Sequence, residues 1–153
     1  MTEHELFMSE AISLAKEAMN DGEVPVGCVI VHNGRIIGKG RNRRETDKNA
    51  LAHAELEAID EACRVLGGWR LPACTLYVTL EPCPMCAGAI VNARIDNAVI
   101  ALSDPKSGAL GSVINFNSYP LNHKVRLTYG VMKDTARELM QSFFSKLRLK
   151  RNG

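Results

Sequence analysis

The sequence predicts an α/β protein of three layers, an α/β/α sandwich in which helices cover both faces of a central mixed sheet. Three observations favour this class. Helical periodicity and short β-branched runs follow one another in the order α-β-β-α-β-α-β-β-α. Helices separate most of the later strands, which favours a layered arrangement. The composition, with 46% hydrophobic and 24% charged residues, is ordinary for a globular chain and excludes disordered and fibrous architectures.

The first half of the chain predicts a helix, a hairpin and a second helix. Apolar residues recur at helical spacing over residues 3–20, and the sequence "NDG" ends that helix. The runs "PVGCVIV" (25–31) and "RIIGKGR" (35–41) flank the turn sequence "HNG", a pattern that predicts a β-hairpin. After the polar loop "NRRETDKN", a stretch rich in Ala, Leu and Glu from Ala52 to Leu66 predicts a helix that the following "GG" ends.

The second half alternates strands with helices. Pro84 suits the first position of a helix, because no backbone N–H is needed there. The predicted elements are a strand at 74–80, a helix from Pro84 to about Ala93, a strand at 97–102, a loop over most of 103–119, a strand at 125–130 and a closing helix from Met132 to about Leu149. No repeat, low-complexity segment or linker interrupts the sequence, so we expect residues 1–153 to form a single domain.

The apolar segments and the cysteines indicate the compartment. No segment has the apolar character of a signal peptide or a membrane span, so we expect no membrane association and a cytoplasmic location. The five cysteines form no obvious disulfide framework; they are Cys28, Cys63, Cys74, Cys83 and Cys86. Reduced thiols or metal-bound thiolates are therefore the better expectation.

Basic residues gather at two places, although the net charge of +2 does not by itself indicate a nucleic-acid-binding protein. One is "RNRR" at 41–44, and the other is the tail "FFSKLRLKRNG", which contains no acidic residue. A basic helix end is usually only solvated, and contact with phosphate is the alternative.

The first sign of chemistry is the pair Cys83 and Cys86 in "PCPMC". At the first turn of a helix, two thiols with this spacing can point toward one centre, and zinc binds such pairs at about 2.3 Å per bond. The helix N-terminus also favours the thiolate, which is the form that binds metal. On its own, a C-x-x-C pair fits a redox-active dithiol as well.

His53 in "HAE" is the best candidate for a third ligand, and Glu55 follows it by two residues. An isolated histidine here would fit a surface or helix-capping role. Cys28, Cys63 and Cys74 stand singly in apolar or helical settings and are expected to be buried, inert thiols, so no fourth protein ligand is evident. Three ligands leave the fourth tetrahedral position for water, as in catalytic zinc sites, and Glu55 is placed to accept a proton.

With "HAE" and "PCPMC", the chain resembles the zinc-dependent nucleobase deaminases, whose signature is H-x-E followed by P-C-x-x-C. The resemblance extends in order over nearly the whole chain, through "EVPVG" at 23–27, "GRN" at 40–42, "WRL" at 69–71, "TLYVTLEPCPMCAGAI" at 75–90, "DPKSGALGS" at 104–112 and "FF" at 143–144. Within the cytidine and deoxycytidylate deaminase superfamily, the sequence is similar to the bacterial tRNA-specific adenosine deaminases, which convert the wobble adenosine of an arginine tRNA to inosine.

The resemblance implies a cytidine-deaminase-like fold and a homodimer with one zinc ion per chain. It places the zinc ligands on His53, Cys83 and Cys86, and the carboxylate that carries protons on Glu55.

The resemblance also implies two substrate-binding positions. Asn42 would hydrogen-bond the target nucleotide, and a backbone group of Ala54 would contact the base. The sequence departs from the family at Ala50 and Leu51, where Pro-Thr is common, and at Cys28, where a small apolar residue such as alanine is usual. Neither departure removes a metal ligand.

The implied reaction is a hydrolytic deamination in which water attacks the purine C6, Glu55 carries a proton to N1 and then to the departing amine, and ammonia leaves. The target nucleotide must leave the anticodon loop of the tRNA to reach the site. Candidate RNA contacts are Arg44, Lys106, Phe144 and Arg148. The neighbouring Phe143 leaves open which of the two rings faces the RNA.

Two alternatives stay open at this point. A deaminase of a free nucleobase or nucleoside, such as guanine or cytosine, would use the same metal site, and salt would affect its activity little. A zinc-binding module without enzymatic activity would need a fourth protein ligand and would have no use for Glu55. The remaining histidines, His4, His32 and His123, receive no role.

Overall fold

The computed structural model describes residues 1–152. Within them, four α-helices and five β-strands follow one another in the order that the sequence predicts. They are α1 (Glu3–Asn20), β1 (Gly27–His32), β2 (Arg35–Arg41), α2 (Ala54–Leu66), β3 (Cys74–Leu80), α3 (Pro84–Asn92), β4 (Asn97–Leu102), β5 (Arg126–Tyr129) and α4 (Lys133–Asn152).

The strands form one mixed sheet in the order β2-β1-β3-β4-β5. β1 pairs antiparallel with both β2 and β3, whereas β3, β4 and β5 run parallel to one another. The hairpin between β1 and β2 turns at Asn33 and Gly34, whose φ angles are 52° and 75°. Positive φ at both positions is what a tight hairpin turn requires, so the prediction from "HNG" is confirmed.

The side chains of the strands alternate between the two faces of the sheet, and a layer of helices packs on each face. On one face, α2 and α3 pack over residues such as Ile30, Leu76 and Ile100. On the other, α1 and part of α4 pack over their strand neighbours, including Val29 and Val99. Because strand side chains point alternately to the two faces, this pattern gives the three layers, and the predicted α/β/α sandwich with a central mixed sheet is confirmed.

Several predicted boundaries move by a few residues. The helix predicted from Ala52 begins at Ala54, because His53 has extended backbone angles of φ −95° and ψ 151° and is the N-cap. α4 continues past Leu149 to Asn152. A 3₁₀ turn at Phe116–Ser118 interrupts the segment predicted as loop. None of the helices in residues 1–152 is long and apolar enough to cross a membrane.

Candidate active site and metal cluster

Two helix N-termini bring the predicted metal ligands together. His53 is the N-cap of α2, Cys83 is the N-cap of α3, and Cys86 is the third residue of α3. Neither N-cap side chain bonds to the backbone of its own helix. Ser, Thr, Asp or Asn at an N-cap stabilises a helix by about 1 kcal/mol relative to alanine. α2 and α3 lack this stabilisation. The two side chains are therefore free to bind something else.

The three side chains have the spacing of a zinc site. The His53 Nδ1 atom lies 3.7 Å from the Cys83 Sγ atom and 3.4 Å from the Cys86 Sγ atom. All three candidate ligand atoms lie within 4.8 Å of one another. In a tetrahedral zinc site, bonds of about 2.3 Å to sulfur and about 2.0 Å to nitrogen put the two ligand atoms about 3.5 Å apart. The residues therefore fit a metal ion, and the separate motifs meet as predicted.

The surroundings of the cluster favour a thiolate. Hydrogen bonding with the Cys86 thiol and, to a smaller extent, with His53 lowers the pKa of Cys83 to about 4. The same contact, together with burial, raises the pKa of Cys86. Hydrogen bonding with Cys83 raises the pKa of His53. The positive ends of the α2 and α3 dipoles add to the stabilisation of negative charge at this point.

Glu55 lies beside the cluster in the first turn of α2, and its side chain is buried. Burial raises its pKa to about 7. A carboxyl group with a pKa near neutrality can accept a proton and return it, which is the property of a general acid and base.

The start of α2 packs closely against β2, because a Cβ atom at Gly40 would overlap the carbonyl oxygen of Ala54.

The cluster opens into a cavity of about 520 Å³. Its walls combine apolar side chains with His53, Ala54, Glu55 and Cys83; the apolar ones are Val24, Val26, Leu80, Leu102, Met140 and Phe144. A cavity of this volume is large enough for a nucleobase and its ribose. Apolar walls with a few convergent polar groups are typical of sites that bind small molecules.

Asn42 lines the same cavity and is buried. Its Nδ2 atom donates to the Val24 carbonyl at 3.2 Å, and its Oδ1 atom accepts from the Arg44 N–H at 3.1 Å. A carboxamide carries two N–H groups and two lone pairs, so one donor and one acceptor site are left over. Asn42 can therefore hold the loop after β2 and still hydrogen-bond a ligand in the cavity.

We call the exposed residues at the mouth of the cavity, Arg44, Lys106 and Phe144, the rim. Lys106 and Phe144 also line an adjoining groove of about 600 Å³ that reaches Arg148. All four residues predicted to contact RNA therefore lie around one continuous opening. Phe143, which is half-buried, packs edge-on against Phe144 with ring centroids 5.2 Å apart, and it is Phe144 that faces the cavity.

Sequence reasoning missed two buried carboxylates. Glu23 and Glu81 are 1% and 2% exposed, and each accepts hydrogen bonds from a loop that borders the cavity. Both lie in quoted motifs, Glu23 in "EVPVG" and Glu81 in "EPCPMC", but no role was assigned to them, because the residues that hydrogen-bond them are about 20 to 30 positions away in the sequence. The prediction that the single cysteines are buried is correct for Cys28 and Cys74 but wrong for Cys63, which is half-buried where α2 nears its end.

The unassigned histidines lie outside the cavity lining. The His4 Nδ1 atom is 2.9 Å from the Tyr77 hydroxyl, the His32 Nδ1 atom is 3.6 Å from the Cys74 Sγ atom, and His123 Nε2 is 2.6 Å from the Ile95 carbonyl. Each of the three therefore has a structural partner within the fold.

Comparisons with known proteins place these features in a family. The model of the MafB19-like deaminases matches residues 2–148. The tRNA-specific adenosine deaminase of Bacillus subtilis (strain 168) is 48% identical over 152 residues, covering 99% of this chain and 94% of that protein. A structure from a study of A-to-I editing by tRNA:A34 deaminases is 42% identical with a TM-score of 0.84, and the match covers 87% of this chain and 97% of that one.

A guanine deaminase from Bacillus subtilis is also similar. Its structure is 37% identical with a TM-score of 0.64, over 80% of this chain and 88% of that chain. The match is weaker than that to the tRNA:A34 deaminase structure in both identity and TM-score. The expectation of a cytidine-deaminase-like fold is confirmed by these matches.

Proposed function

Because this chain belongs to the family of tRNA-specific adenosine deaminases, we propose that it converts the wobble adenosine of a tRNA anticodon to inosine. The observation that carries the proposal is the position of the His53, Cys83 and Cys86 cluster at the buried end of a cavity whose rim bears two cations and an aromatic ring. A metal-activated attack on a base and the binding of a single-stranded nucleotide need these two features together.

One zinc ion per chain would be held by His53 Nδ1 and by the Sγ atoms of Cys83 and Cys86. A metal with three protein ligands supplies Lewis-acid activation of water for attack on carbon. Among His, Cys, Asp and Glu residues within 1–152, the cluster contains these three ligands and no fourth. A closed structural site would need that fourth ligand, so the geometry does not favour a non-enzymatic zinc module.

Glu55 is assigned the proton transfers. It takes a proton from the water that attacks C6 of the adenine ring and delivers it to N1. It then takes the remaining hydroxyl proton and protonates the exocyclic amine, so that the C6–N bond breaks and ammonia leaves. The net reaction is adenosine plus water to inosine plus ammonia. Its buried place beside the metal ligands supports this role, since both the attacking water and N1 must lie within hydrogen-bond reach.

Asn42 and Ala54 would hold the nucleotide in the cavity, the first through its free carboxamide sites and the second through its backbone. Arg44, Lys106 and Arg148 would contact phosphates of the anticodon loop, and Phe144 would stack on a neighbouring base. These contacts would offset the cost of extruding the target nucleotide from the loop, which is a few kcal/mol.

An arginine tRNA as the substrate, a homodimer, a cytoplasmic location and a single domain over 1–153 belong to the same proposal. They rest on the family resemblance and on the sequence. A substrate RNA is consistent with the two basic segments: residues 41–44 border the cavity, and residues 143–152 of the tail form the end of α4, where Phe144 and Arg148 line the groove.

The test compares the zinc-loaded protein on an arginine tRNA anticodon stem-loop, on free adenosine, on guanine and on cytidine, with inosine or ammonia as the readout. We expect activity on the stem-loop that falls steeply with added salt. Activity confined to guanine would instead assign this chain to the reaction of its guanine deaminase relative. Activity on neither class of substrate would overturn the proposal.

A further inference from the structure

Glu81 lies in the cavity wall, next to the metal-binding segment. It follows β3 directly and precedes Cys83 by two residues. Its side chain is 2% exposed, and none of the ion pairs within residues 1–152 includes it. A buried carboxylate without a cationic partner is costly unless hydrogen bonds satisfy its oxygens.

The loop of residues 103–112 provides those hydrogen bonds. The Oε1 atom accepts from the Asp104 N–H at 3.0 Å and from the Ser112 hydroxyl. The Oε2 atom accepts from the N–H groups of Leu110 and Ser112, each at 3.1 Å. Four donors from one loop converge on one carboxylate, and hydrogen bonds to a charged acceptor are about twice as strong as neutral ones.

Close packing fixes the same loop against the metal-binding segment. A Cβ atom at Gly108 would overlap the Glu81 carboxyl group, so only glycine leaves room for it there. The Ala109 N–H donates to the Pro82 carbonyl at 2.9 Å, and the Glu81 N–H donates to the Leu102 carbonyl at 2.8 Å. Backbone hydrogen bonds of Glu81 and Pro82 therefore attach the loop to the segment that directly precedes Cys83.

The attached loop is also part of the cavity wall. Residues 103–107 line the cavity, and Lys106 lies on both the rim and the adjoining groove. The position of Lys106 relative to the metal cluster thus depends on how the loop sits on Glu81.

We infer that Glu81 is a positioning residue for the RNA substrate: it holds the 103–112 loop so that Lys106 meets the backbone of the extruded nucleotide while the base reaches the metal cluster. The inference rests on the proposed function, because it takes Lys106 to be a phosphate contact. Glu81 also lines the cavity, but each of its oxygens already accepts two hydrogen bonds from the loop, so we assign it the loop and no contact with the substrate.

The first experiment replaces Glu81 with Gln, which keeps the size of the side chain but turns one acceptor into a donor facing N–H groups. We expect one zinc per chain to remain. We also expect kcat/KM on the stem-loop to fall about tenfold to a hundredfold, as displacement of a positioned group does. Trypsin should cut faster after Lys106 in Glu81→Gln than in the wild type. Unchanged cleavage together with unchanged kcat/KM overturns the inference.

The second experiment asks whether the effect passes through Lys106. In the wild type, Lys106→Ala should lower kcat/KM severalfold, whereas in the Glu81→Gln background it should have little further effect, because the side chain is already displaced. Coupled residues give such non-additive effects, and independent ones do not. Additive losses would show that Glu81 only stabilises the fold.

Two controls separate positioning from general destabilisation. Ile12→Ala creates a cavity in the α1 layer, at a residue that lines neither the cavity nor the groove, and should lower the unfolding temperature without changing KM. Ser112→Ala removes one of the four donors and should reproduce the Glu81→Gln effect more weakly. A KM that rises equally in Ile12→Ala, or a Ser112→Ala protein with wild-type kinetics and trypsin cleavage, counts against the inference.

A wild-type protein that is inactive on the stem-loop would remove the proposed function, and the substrate part of this inference with it. The trypsin readout needs no RNA. It therefore reports separately whether Glu81 holds the loop.

Discussion

The buried end of the cavity and its rim are built from different kinds of structure. At the buried end, three ligand atoms within 4.8 Å come from residues at the N-termini of α2 and α3. At the rim, Arg44 and Lys106 come from loops, and Phe144 comes from α4, an element that is largely exposed. Helix N-termini thus position the candidate metal ligands, whereas loops and the exposed helix α4 position the rim residues.

The two rim loops are nevertheless ordered by the same device. Glu23 accepts from the N–H groups of Glu45 and Thr46 and from the Thr46 hydroxyl, beside Arg44. Glu81 does the same for the loop of Lys106. The two regions therefore differ in what holds them: helix N-termini position the ligands at the buried end, and hydrogen bonds to two buried carboxylates hold the two rim loops.

The largest effect should come from Glu55 at the buried end. Glu55→Ala should keep one zinc per chain but lower turnover by about 10²- to 10⁴-fold, because the protons of the reaction lose their carrier. Metal content and inosine formation by the purified variant measure this. Glu57→Ala is the matched control, since Glu57 lies in the same turn and pairs with Arg43 rather than lining the cavity. Turnover that survives in Glu55→Ala would remove Glu55 from the mechanism.

The next effect distinguishes a ligand from an ordinary thiol. Cys83→Ser should strip or weaken the bound metal, because serine is a poor zinc ligand at neutral pH, and activity should fall in proportion to the metal lost. Zinc per chain after dialysis is the measurement. Cys63→Ser, outside the cluster, should bind metal normally. Unchanged zinc in Cys83→Ser would refute its role as a ligand.

A smaller effect is expected at the rim. Lys106→Ala should weaken stem-loop binding and reduce by about one the slope of log affinity against log salt, because one phosphate contact is lost. Zinc content should not change. Lys16→Ala on the exposed face of α1 removes the same charge from a residue that lines neither the cavity nor the groove, and it should leave the slope unchanged. Equal effects of the two substitutions would indicate general charge attraction and no defined contact.

The difference between the buried end of the cavity and its rim also explains which site residues could be predicted from the sequence. The metal cluster was predictable because H-x-E and C-x-x-C each act over a few residues at a helix start, where spacing determines direction. The start of α2 was misplaced by two residues because Ala52 favours a helix, whereas His53 is held in an extended N-cap conformation. The roles of Glu23 and Glu81 depend on long-range folding, which no local pattern records.

The choice between Phe143 and Phe144 shows the same limit. Both lie on α4, and their positions differ by one residue along a basic helix. Only the packing of α4 across the sheet directs Phe144 into the cavity. Residues at the rim could therefore be proposed as candidates from composition, but the contacts that order them needed the structure.

The smallest effect tests how the Arg44 loop is held. Burial raises the pKa of Glu23, but hydrogen bonds from Thr46 and Glu45 outweigh it and leave this pKa below its ordinary value of 4.5. A carboxylate with a depressed pKa in the folded state stabilises the fold above the pKa of the unfolded chain, and this contribution is lost as pH falls through the folded value. Glu23→Gln should therefore lower the free energy of unfolding at neutral pH by about 1–3 kcal/mol.

The difference from the wild type should shrink in acid, below the pH at which free glutamate titrates. Urea unfolding of both proteins at the two pH values measures it, with metal content as the control for the buried end. A difference that is the same in acid would mean that the Glu23 charge does not hold the loop. Loss of zinc in Glu23→Gln would mean that the rim and the buried end are not ordered independently.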